Sequence, residues 1–328
     1  MRGRLAVLGL LFAAAACGET ARSTSWQRVA ASERGALLSI WGTDRTDIWA
    51  VGGRGELAGK PTVLHFDGAA WSRVDAGVTG VDLWWVFGFD GGDVFFTGSA
   101  GTILRYRNGA FESMPTPRKG IVFGLWGAAP DDLWAVGAGD DSRGIVWRYD
   151  GVSWRDANLP ADVPAIVLKV HGQRSNEVWI SCASGVTLHW DGVALARVPT
   201  GVASSLFSIV TTPDVVIAVG GGNSVGDIVE HDASGWTARP NLVPVAWRGV
   251  AAAGDVAFAV GQSGVVARRI AGSWSVVPQP VTQLAFHAAW IDPEGGLWGV
   301  GGMFDTLPLT SDGFLTYYGS APVAEVSP

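Results

Sequence analysis

Charged residues and cysteines are scarce in this sequence. Only 16% of its 328 residues are charged, against about a quarter in ordinary soluble domains, whereas 48% are hydrophobic. The chain can therefore bury a large core, and no long region is polar enough to be read as disordered. Only two cysteines occur. Cys182 lies in the apolar segment VWISCAS, so we expect it to be a buried small hydrophobic residue.

Basic residues are outnumbered by acidic ones. The chain has 23 lysines and arginines against 30 aspartates and glutamates, and its formal net charge is −7. Because binding to phosphate groups requires a basic surface, this balance argues against a nucleic-acid partner.

The apolar run near the N-terminus, from Leu5 to Ala16, is too short to span a bilayer. It follows two arginines and ends in small residues, as a signal peptide does, so residues 1–16 are predicted to be removed. Cys17 follows directly. The segment resembles the signal of bacterial lipoproteins, in which the cysteine after the cleavage point receives a lipid. That family prefers leucine three places before the cysteine, where this chain has Ala14, so ordinary cleavage is the alternative.

Lipidation of Cys17 would leave one thiol in the mature chain and exclude an intrachain disulfide. It also predicts a lipid-anchored protein of the cell envelope, attached to the membrane only through the anchor. Because Gly18, and not aspartate, follows the cysteine, we expect the outer membrane. A secreted or periplasmic protein is the alternative. Residues 17–35 are then a polar tether with a candidate closing strand, SWQRVAA (Ser25 to Ala31).

Glycine (46) and tryptophan (17) are abundant, and both occur in a repeated phrase. GTDRTDIWAVG (Gly42 to Gly52) has a near twin in GAAPDDLWAVG (Gly127 to Gly137). In looser form the unit occurs seven times: an apolar strand, a turn with an acidic residue, a strand ending in glycine, a loop, a third strand, Asp-Gly and a fourth strand. The acidic position recurs about every 40 residues at Asp47, Asp93, Asp132, Glu177, Asp214 and Asp255, with Gly296 in the last copy.

A period near 40 with four short strands per unit is typical of a β-propeller blade. The sequence therefore predicts an all-β fold, a seven-bladed β-propeller of four-stranded antiparallel blades over residues 36–320, with a C-terminal tail at 321–328. The copy count predicts that GFLTYYG is the fourth strand of the last blade and that SWQRVAA pairs outside it or stays loose. The acidic residue is expected to cap the first turn, and the glycine to adopt a positive φ.

The repeats resemble a family of bacterial secreted propellers, including lipoproteins, with WGT, DVWAVG and HWDG phrases. They are more distantly similar to Asp-box repeats, whose hairpin is matched by DGAAW (Asp67 to Trp71) and DGVSW (Asp150 to Trp154). The resemblance covers nearly all of the mature chain, and it implies a fold and not a reaction.

Simple alternation along the innermost strand predicts two columns of residues. One is almost wholly apolar and is expected to pack on the neighbouring blade together with the Ile40 column; it contains Leu38, Trp84, Phe123, Leu168, Phe207, Arg248 and His287. The other is mostly small, as expected near the axis; it contains Ser39, Trp85, Gly124, Lys169, Ser208, Gly249 and Ala288. The residues that break these patterns are candidates for the mouth of the central channel: Trp85, Lys169, Arg248 and His287.

The connection between the second and third strands varies most in length, and in a propeller all these connections lie on one face. Length variation on a constant scaffold is typical of a binding face, and drift in unconstrained loops is the alternative. The longer connections contain the further candidate residues Arg54, Lys60, Asp140, Asp141 and Arg143.

These features favour a non-catalytic binding or assembly module for a protein or glycan ligand, with no cofactor and no metal site. The alternative is a carbohydrate-active enzyme, because some glycosidases are propellers. Such a site needs an arginine cluster, paired carboxylates and often a tyrosine nucleophile. Tyr106 and Tyr149 follow arginine at a repeat position, and Asp140 and Asp141 are adjacent in sequence, so neither pair predicts such a site. The two classes differ in whether three of Arg, Asp, Glu, Tyr or His converge at the axis.

Overall fold

The computed structural model describes residues 24–33, 35–55, 59–157, 159–222, 224–278, 282–303 and 313–326. These ranges form seven four-stranded antiparallel sheets, which confirms the predicted seven-bladed β-propeller. The first strands of successive blades contact one another, and those of the first and last blades also meet, so the ring is closed. Two short 3-10 helices occur within the described ranges, Ser99–Gly101 and Gln262–Gly264, and neither has the length to cross a bilayer.

The strands of each blade are given from the channel outward. Blade 1 contains β2 (Leu37–Asp44), β3 (Asp47–Arg54), β4 (Pro61–Phe66) and β5 (Trp71–Arg73). Blade 2 contains β6 (Leu83–Gly88), β7 (Val94–Gly98), β8 (Ile103–Arg107) and β9 (Ala110–Ser113). Blade 3 contains β10 (Gly120–Ala129), β11 (Asp132–Gly139), β12 (Gly144–Tyr149) and β13 (Trp154–Asp156). Blade 4 contains β14 (Val167–Arg174), β15 (Glu177–Cys182), β16 (Val186–Trp190) and β17 (Leu195–Pro199). Blade 5 contains β18 (Leu206–Thr211), β19 (Val216–Gly222), β20 (Val225–Asp232) and β21 (Gly235–Ala238). Blade 6 contains β22 (Trp247–Ala253), β23 (Val256–Gly261), β24 (Val266–Ile270) and β25 (Ser273–Val276). Blade 7 contains β26 (Ala285–Ile291), β27 (Leu297–Gly302), β28 (Gly313–Gly319) and β1 (Ser25–Glu33).

The order of strands in blade 7 corrects the predicted closure. The GFLTYYG segment is β28, which pairs with β27 on one side and with β1 on the other. It is therefore the third strand of the blade, and the prediction that it is the fourth is wrong. The N-terminal strand β1 is the fourth strand and joins the two ends of the chain in one sheet. Its pairing covers an edge of β28 that would otherwise be open to other chains.

Every innermost strand contains a β-bulge at the same place. In blade 1, Leu37 pairs with Gly52 and Ser39 pairs with Val51, so Leu38 is left out of the pairing. The same skip occurs in all seven blades, at Leu38, Trp84, Phe123, Leu168, Phe207, Arg248 and His287. A bulge redirects a side chain and interrupts simple alternation. We call these seven positions the bulge column.

The bulge changes which residues share the packed face. Leu37 and Ile40, three positions apart, belong to one core cluster, and Val122 and Leu125 do so in blade 3. The prediction that the bulge column packs on the neighbouring blade with the Ile40 column is therefore wrong, because it assumed an uninterrupted strand. The bulge column is free to line the channel instead.

The glycine that ends the repeated phrase lies beside this bulge. A Cβ atom on Gly52 would lie 2.1 Å from the carbonyl oxygen of Ala36. The corresponding distance is between 1.9 and 2.6 Å at Gly98, Gly137, Gly220, Gly261 and Gly301. None of these six glycines has a positive φ. In these six blades the glycine allows the close approach of two backbones, and the predicted positive φ is wrong. Blade 4 has Cys182 at this position, paired with Val167.

The acidic residue of the phrase links strands of its own blade. In blade 1, Asp47 Oδ1 accepts a hydrogen bond of 3.1 Å from the Trp49 indole and lies 2.8 Å from His65 Nε2. Glu177 makes the equivalent contacts in blade 4. The first turn of blade 1 is capped by Asp44 instead, which accepts from the Thr46 backbone N–H at 2.6 Å. In blades 1 to 4 the repeated acid therefore binds a basic residue of the third strand, and the predicted turn-capping role is wrong for these four copies.

Contacts between blades explain the Trp-Gly pair of the phrase. A Cβ on Gly88 would lie 2.6 Å from the ring of Trp41, which belongs to the preceding blade. Trp126 has the same relation to Gly172, and Trp290 to Gly42, at 2.6 and 2.8 Å. The large side chain of one blade thus fills the space left by the glycine of the next.

Candidate binding site at the channel mouth

The bulge column converges on the axis of the propeller. The ring of Trp84 lies 5.1 Å from that of Phe123 and 5.9 Å from that of His287. Because Trp84 belongs to blade 2 and His287 to blade 7, the two rings meet across blade 1. His287 Nδ1 also donates a hydrogen bond to the carbonyl oxygen of Leu38. These contacts show that side chains from separate blades gather within the channel.

The bulge column has an apolar arc and a basic arc. Blades 2 to 5 contribute the apolar side chains Trp84, Phe123, Leu168 and Phe207, and Leu38 of blade 1 is fully buried beside Trp84. Blades 6 and 7 contribute Arg248 and His287, and the Arg248 guanidinium lies 4.2 Å from the centre of the Phe207 ring. None of the seven is acidic. The arrangement suits a ligand that combines an apolar or aromatic part with a negative charge.

The bulge column lies at one end of the channel. Each bulge is within the first four residues of its innermost strand, and that strand begins where the linker from the preceding blade arrives. The linkers share their face with the connections between second and third strands. We call it the mouth face, and we call the opposite face, with the hairpins between third and fourth strands, the hairpin face. The candidate channel residues and the variable connections are therefore on the same face.

Lys169 and Trp85 lie in the wall behind the bulge column. Lys169 Nζ is 4.2 Å from the centre of the Trp85 ring and donates a hydrogen bond to the carbonyl oxygen of Phe123. The Trp85 indole donates to the carbonyl oxygen of Leu125 at 3.0 Å. Since Lys169 is only 5% exposed, this pair joins blades 2, 3 and 4 and is not part of the open surface.

Burial changes the charge states near the channel. Burial lowers the pKa of Lys169 to about 7. It also lowers the pKa of His287 to about 3, with smaller contributions from the positive charges of Lys169 and Arg248. His287 is therefore neutral at neutral pH, and Arg248 is the cation of the bulge column.

The candidate residues of the first long connection are tied to structural partners. The Arg54 backbone N–H and its Nε both donate to Asp82 Oδ1, at 2.8 and 3.2 Å. Asp82 is 4% exposed and lies in the linker to blade 2, so Arg54 fixes that linker. Lys60 forms an exposed ion pair with Asp75, in the same linker.

The candidate residues of the blade 3 connection form a small charged network. Arg143 donates to Asp141 Oδ2 from Nε and Nη2, at 2.8 and 2.6 Å. Arg118, from the linker into blade 3, lies 3.5 Å from Asp141 and also binds Asp156. Asp140 contributes its backbone N–H to the carbonyl oxygen of Lys119 at 3.3 Å. The network is on the mouth face, but it is separate from the bulge column.

Five residues of the site were missed by simple alternation: Leu38, Trp84, Phe123, Leu168 and Phe207. The signal for them is a second apolar column one residue earlier than the bulge column. It contains Leu37, Leu83, Val122, Val167, Leu206, Trp247 and Phe286. Two apolar columns separated by three residues indicate a bulge between them. Asp82 and Arg118 were also missed, because linker residues have no repeat position.

Other sequence-based candidates fall elsewhere. Cys17, the predicted lipidation site, lies outside the described residues. Cys182 is fully buried, and burial raises the pKa of its thiol to about 12.

Within the described ranges, His, Cys, Asp and Glu form no group of three that could hold a metal ion. At the axis the bulge column brings together Arg248 and His287 but contributes no carboxylate. A glycosidase site requires a pair of carboxylates.

Similar structures share the propeller fold at low sequence identity. YCF48 from Cyanidioschyzon merolae has a TM-score of 0.68 and 14% identity, over 90% of this chain and 98% of that one. A structure of YCF48 bound to D1 peptide gives the same TM-score and identity, over 91% and 95%. Streptogramin B lyase has a TM-score of 0.72 and 12% identity, over 90% and 98%. No protein-family model and no curated protein matches the sequence. These similarities establish the fold, which is shared by binding proteins and by an enzyme.

Proposed function

We propose that this protein is a lipid-anchored, non-catalytic binding module of the cell envelope, which binds a protein or glycan ligand through the mouth face. The observation that carries the proposal is the bulge column, whose side chains meet across blades at the axis. Its apolar arc and the Arg248 guanidinium beside it favour a ligand with an apolar or aromatic group next to an anionic group. The peptide-bound YCF48 structure is a propeller of the same fold with a peptide ligand, which supports a binding role for this scaffold.

The position of the N-terminal strand supports the lipid-anchor part of the proposal. Ser25 pairs with Gly319, at the end of β28, and third strands end at the hairpin face. The chain before Ser25 therefore enters the propeller at the hairpin face. Eight residue steps separate Cys17 from Ser25, a reach of at most about 29 Å. A lipid on Cys17 would hold the hairpin face toward the membrane and leave the mouth face open to partners.

The ligand part is tested by capture from envelope extract and on a glycan array. We expect the Arg248→Gln variant to lose at least about tenfold in captured ligand, because it removes the cation of the bulge column. Arg268→Gln is the matched control. It removes an arginine of the same blade that also lies over an aromatic ring, 5.5 Å from the centre of Phe258. Equal capture by both variants would contradict the assignment to the mouth.

The anchor part is tested with a Cys17→Ser variant. We expect it to lose labelling by a fatty-acid probe and to leave the membrane fraction, while the purified propeller keeps its unfolding temperature. Membrane association that is unchanged in this variant would contradict the anchor.

A further inference from the structure

A second groove lies at the side of the propeller, between the outer strands of blades 3 and 4. It has a volume of about 860 Å³ and is lined by apolar and charged side chains, among them Trp134, Arg148, Leu159, Trp190, Val193 and Leu195. Val193 is 85% exposed. In the middle of the groove, the Arg148 guanidinium lies 5.4 Å from the ring centre of Trp134 and 5.3 Å from that of Trp190.

The C-terminal tail, Ala321 to Val326, occupies the corresponding groove between blades 7 and 1. Its apolar side chains pack on the core cluster that these two blades share. The amide of Gln27 donates to the carbonyl oxygen of Ala321 at 2.6 Å and accepts from the Val323 backbone N–H at 3.3 Å. The Trp71 indole donates to the carbonyl oxygen of Ala324 at 3.2 Å. The main chain of the tail is thus held by side chains of both blades.

Strand register makes the walls of the two grooves equivalent. In blade 7, Tyr317 pairs with Trp298 and with Gln27. In blade 3, Arg148 pairs in the same way with Trp134 and with Arg155. On the opposite wall, Trp71 and Leu195 are each the first residue of a fourth strand. The groove between blades 3 and 4 is therefore an open counterpart of the groove that the tail fills.

We propose that the groove between blades 3 and 4 binds a short non-helical segment of a partner protein, made of small apolar residues with one lysine or arginine. The tail shows which chemistry such a groove accepts, since its residues are Ala-Pro-Val-Ala-Glu-Val. The basic residue follows from the lining charges, in which four carboxylates face two guanidinium groups. They are Asp131, Asp132, Asp150 and Asp156 against Arg148 and Arg155. Arg148 pairs with Asp132, Arg155 pairs with Asp150, and Arg118 from outside the lining pairs with Asp156, so one carboxylate is in excess.

The same charges argue against the tail of a second copy as the occupant. The tail carries Glu325 and no basic residue, so its charge has the same sign as the excess in the groove. Moreover, the tail is already bound within its own chain, where the Val326 N–H donates to the carbonyl oxygen of Val29 at 2.8 Å.

The test is selection of a phage-displayed library of random twelve-residue peptides on the purified protein. We expect enrichment of peptides with small apolar residues and a lysine or arginine. A synthetic peptide from the enriched set should bind the Val193→Arg variant at least about tenfold more weakly than the native protein, because the substitution removes an apolar contact and places a charge of the peptide's own sign in the groove. Val152→Arg is the matched control: Val152 is 84% exposed at the equivalent position of the blade 3 hairpin and does not line the groove.

Three results would overturn the proposal. They are the absence of enriched peptides, equal binding to the Val193→Arg and Val152→Arg variants, and a dimer of the native protein that Val193→Arg dissociates. Peptides that lose binding only in Arg248→Gln would assign recognition to the channel mouth. That result would support the proposed function while refuting this second site, so the two can fail separately.

Discussion

At the scale of single residues, a glycine in six of the seven blades allows the bulge that supplies the candidate site, and blade 4 has Cys182 at this position. Gly137 is the clearest case, since a Cβ there would lie 1.9 Å from the carbonyl oxygen of Ile121. No side chain can be accommodated at that distance without a shift of the backbone. Phe123, the bulged residue of blade 3, lies in the same strand as Ile121. A substitution at Gly137 should therefore change both the stability of the protein and the geometry of the candidate site.

We expect Gly137→Ala to lower the free energy of unfolding by about 1–3 kcal/mol, the usual cost of overpacking. Denaturant unfolding measures the effect. The matched control is Gly222→Ala, where an added Cβ would meet nothing within 4 Å. A Gly137→Ala variant as stable as Gly222→Ala would contradict the role of the glycine in the bulge.

Lys169 predicts a pH dependence of stability. Burial lowers its pKa to about 7 from an ordinary value of 10.5. Between these values the unfolded chain binds a proton that the folded chain has released. The native protein should therefore gain stability relative to a Lys169→Met variant as the pH rises above 7, by at most about 1.4 kcal/mol per pH unit. This gain is lost as the pH falls through 7.

The measurement is denaturant unfolding of both proteins between pH 6 and 9, with the exposed Lys119→Met variant as a control for loss of a lysine. If the native protein and Lys169→Met differ by the same free energy at every pH, the buried lysine does not titrate in this range.

At the scale of elements, β1 is the strand on which ring closure depends. It pairs with β28, and its Val29 is 1% exposed within the core cluster shared by blades 7 and 1. The C-terminal tail in turn binds β1 through Gln27 and Val29. Loss of β1 would therefore open an edge of β28 and release the tail.

A chain that begins at Gly35 should be much less stable than one that begins at Thr24. Burial of Val29 alone is worth about 1.5–3 kcal/mol, so loss of the whole strand should cost more than that. We expect a lower unfolding temperature and concentration-dependent aggregation, measured by calorimetry and light scattering. Equal unfolding temperatures for the two chains would show that β1 does not close the ring.

The sequence predicts the blades well because each copy contains its own strands and turns, so seven weak signals support one another. Ring closure is different, because it joins segments almost 300 residues apart and occurs once. Counting Asp-Gly phrases placed β28 fourth in its blade, although its pairing makes it third. The channel mouth was partly predicted: Arg248 and His287 were identified as exceptions to a pattern. Their neighbours Trp84 and Phe207 were not, because an apolar residue fits a packed face and a channel equally well.

At the scale of the whole molecule, we propose different roles for the two faces of the propeller, membrane attachment for one and ligand binding for the other. The hairpin face receives the N-terminal strand at Ser25, and the proposed anchor would hold it toward the membrane. The mouth face carries the bulge column and the longer connections. A ligand with an apolar and an anionic part would meet the apolar arc and Arg248 together, which no single blade could provide.

The most direct test of this account is photo-crosslinking in the native envelope, with benzoylphenylalanine placed at Leu168 in the bulge column or at Val152 on the hairpin face. We expect a discrete adduct from position 168 that disappears when Arg248→Gln is added, and none from position 152. An adduct from position 152 alone, or one from position 168 that Arg248→Gln leaves unchanged, would contradict ligand binding at the channel mouth.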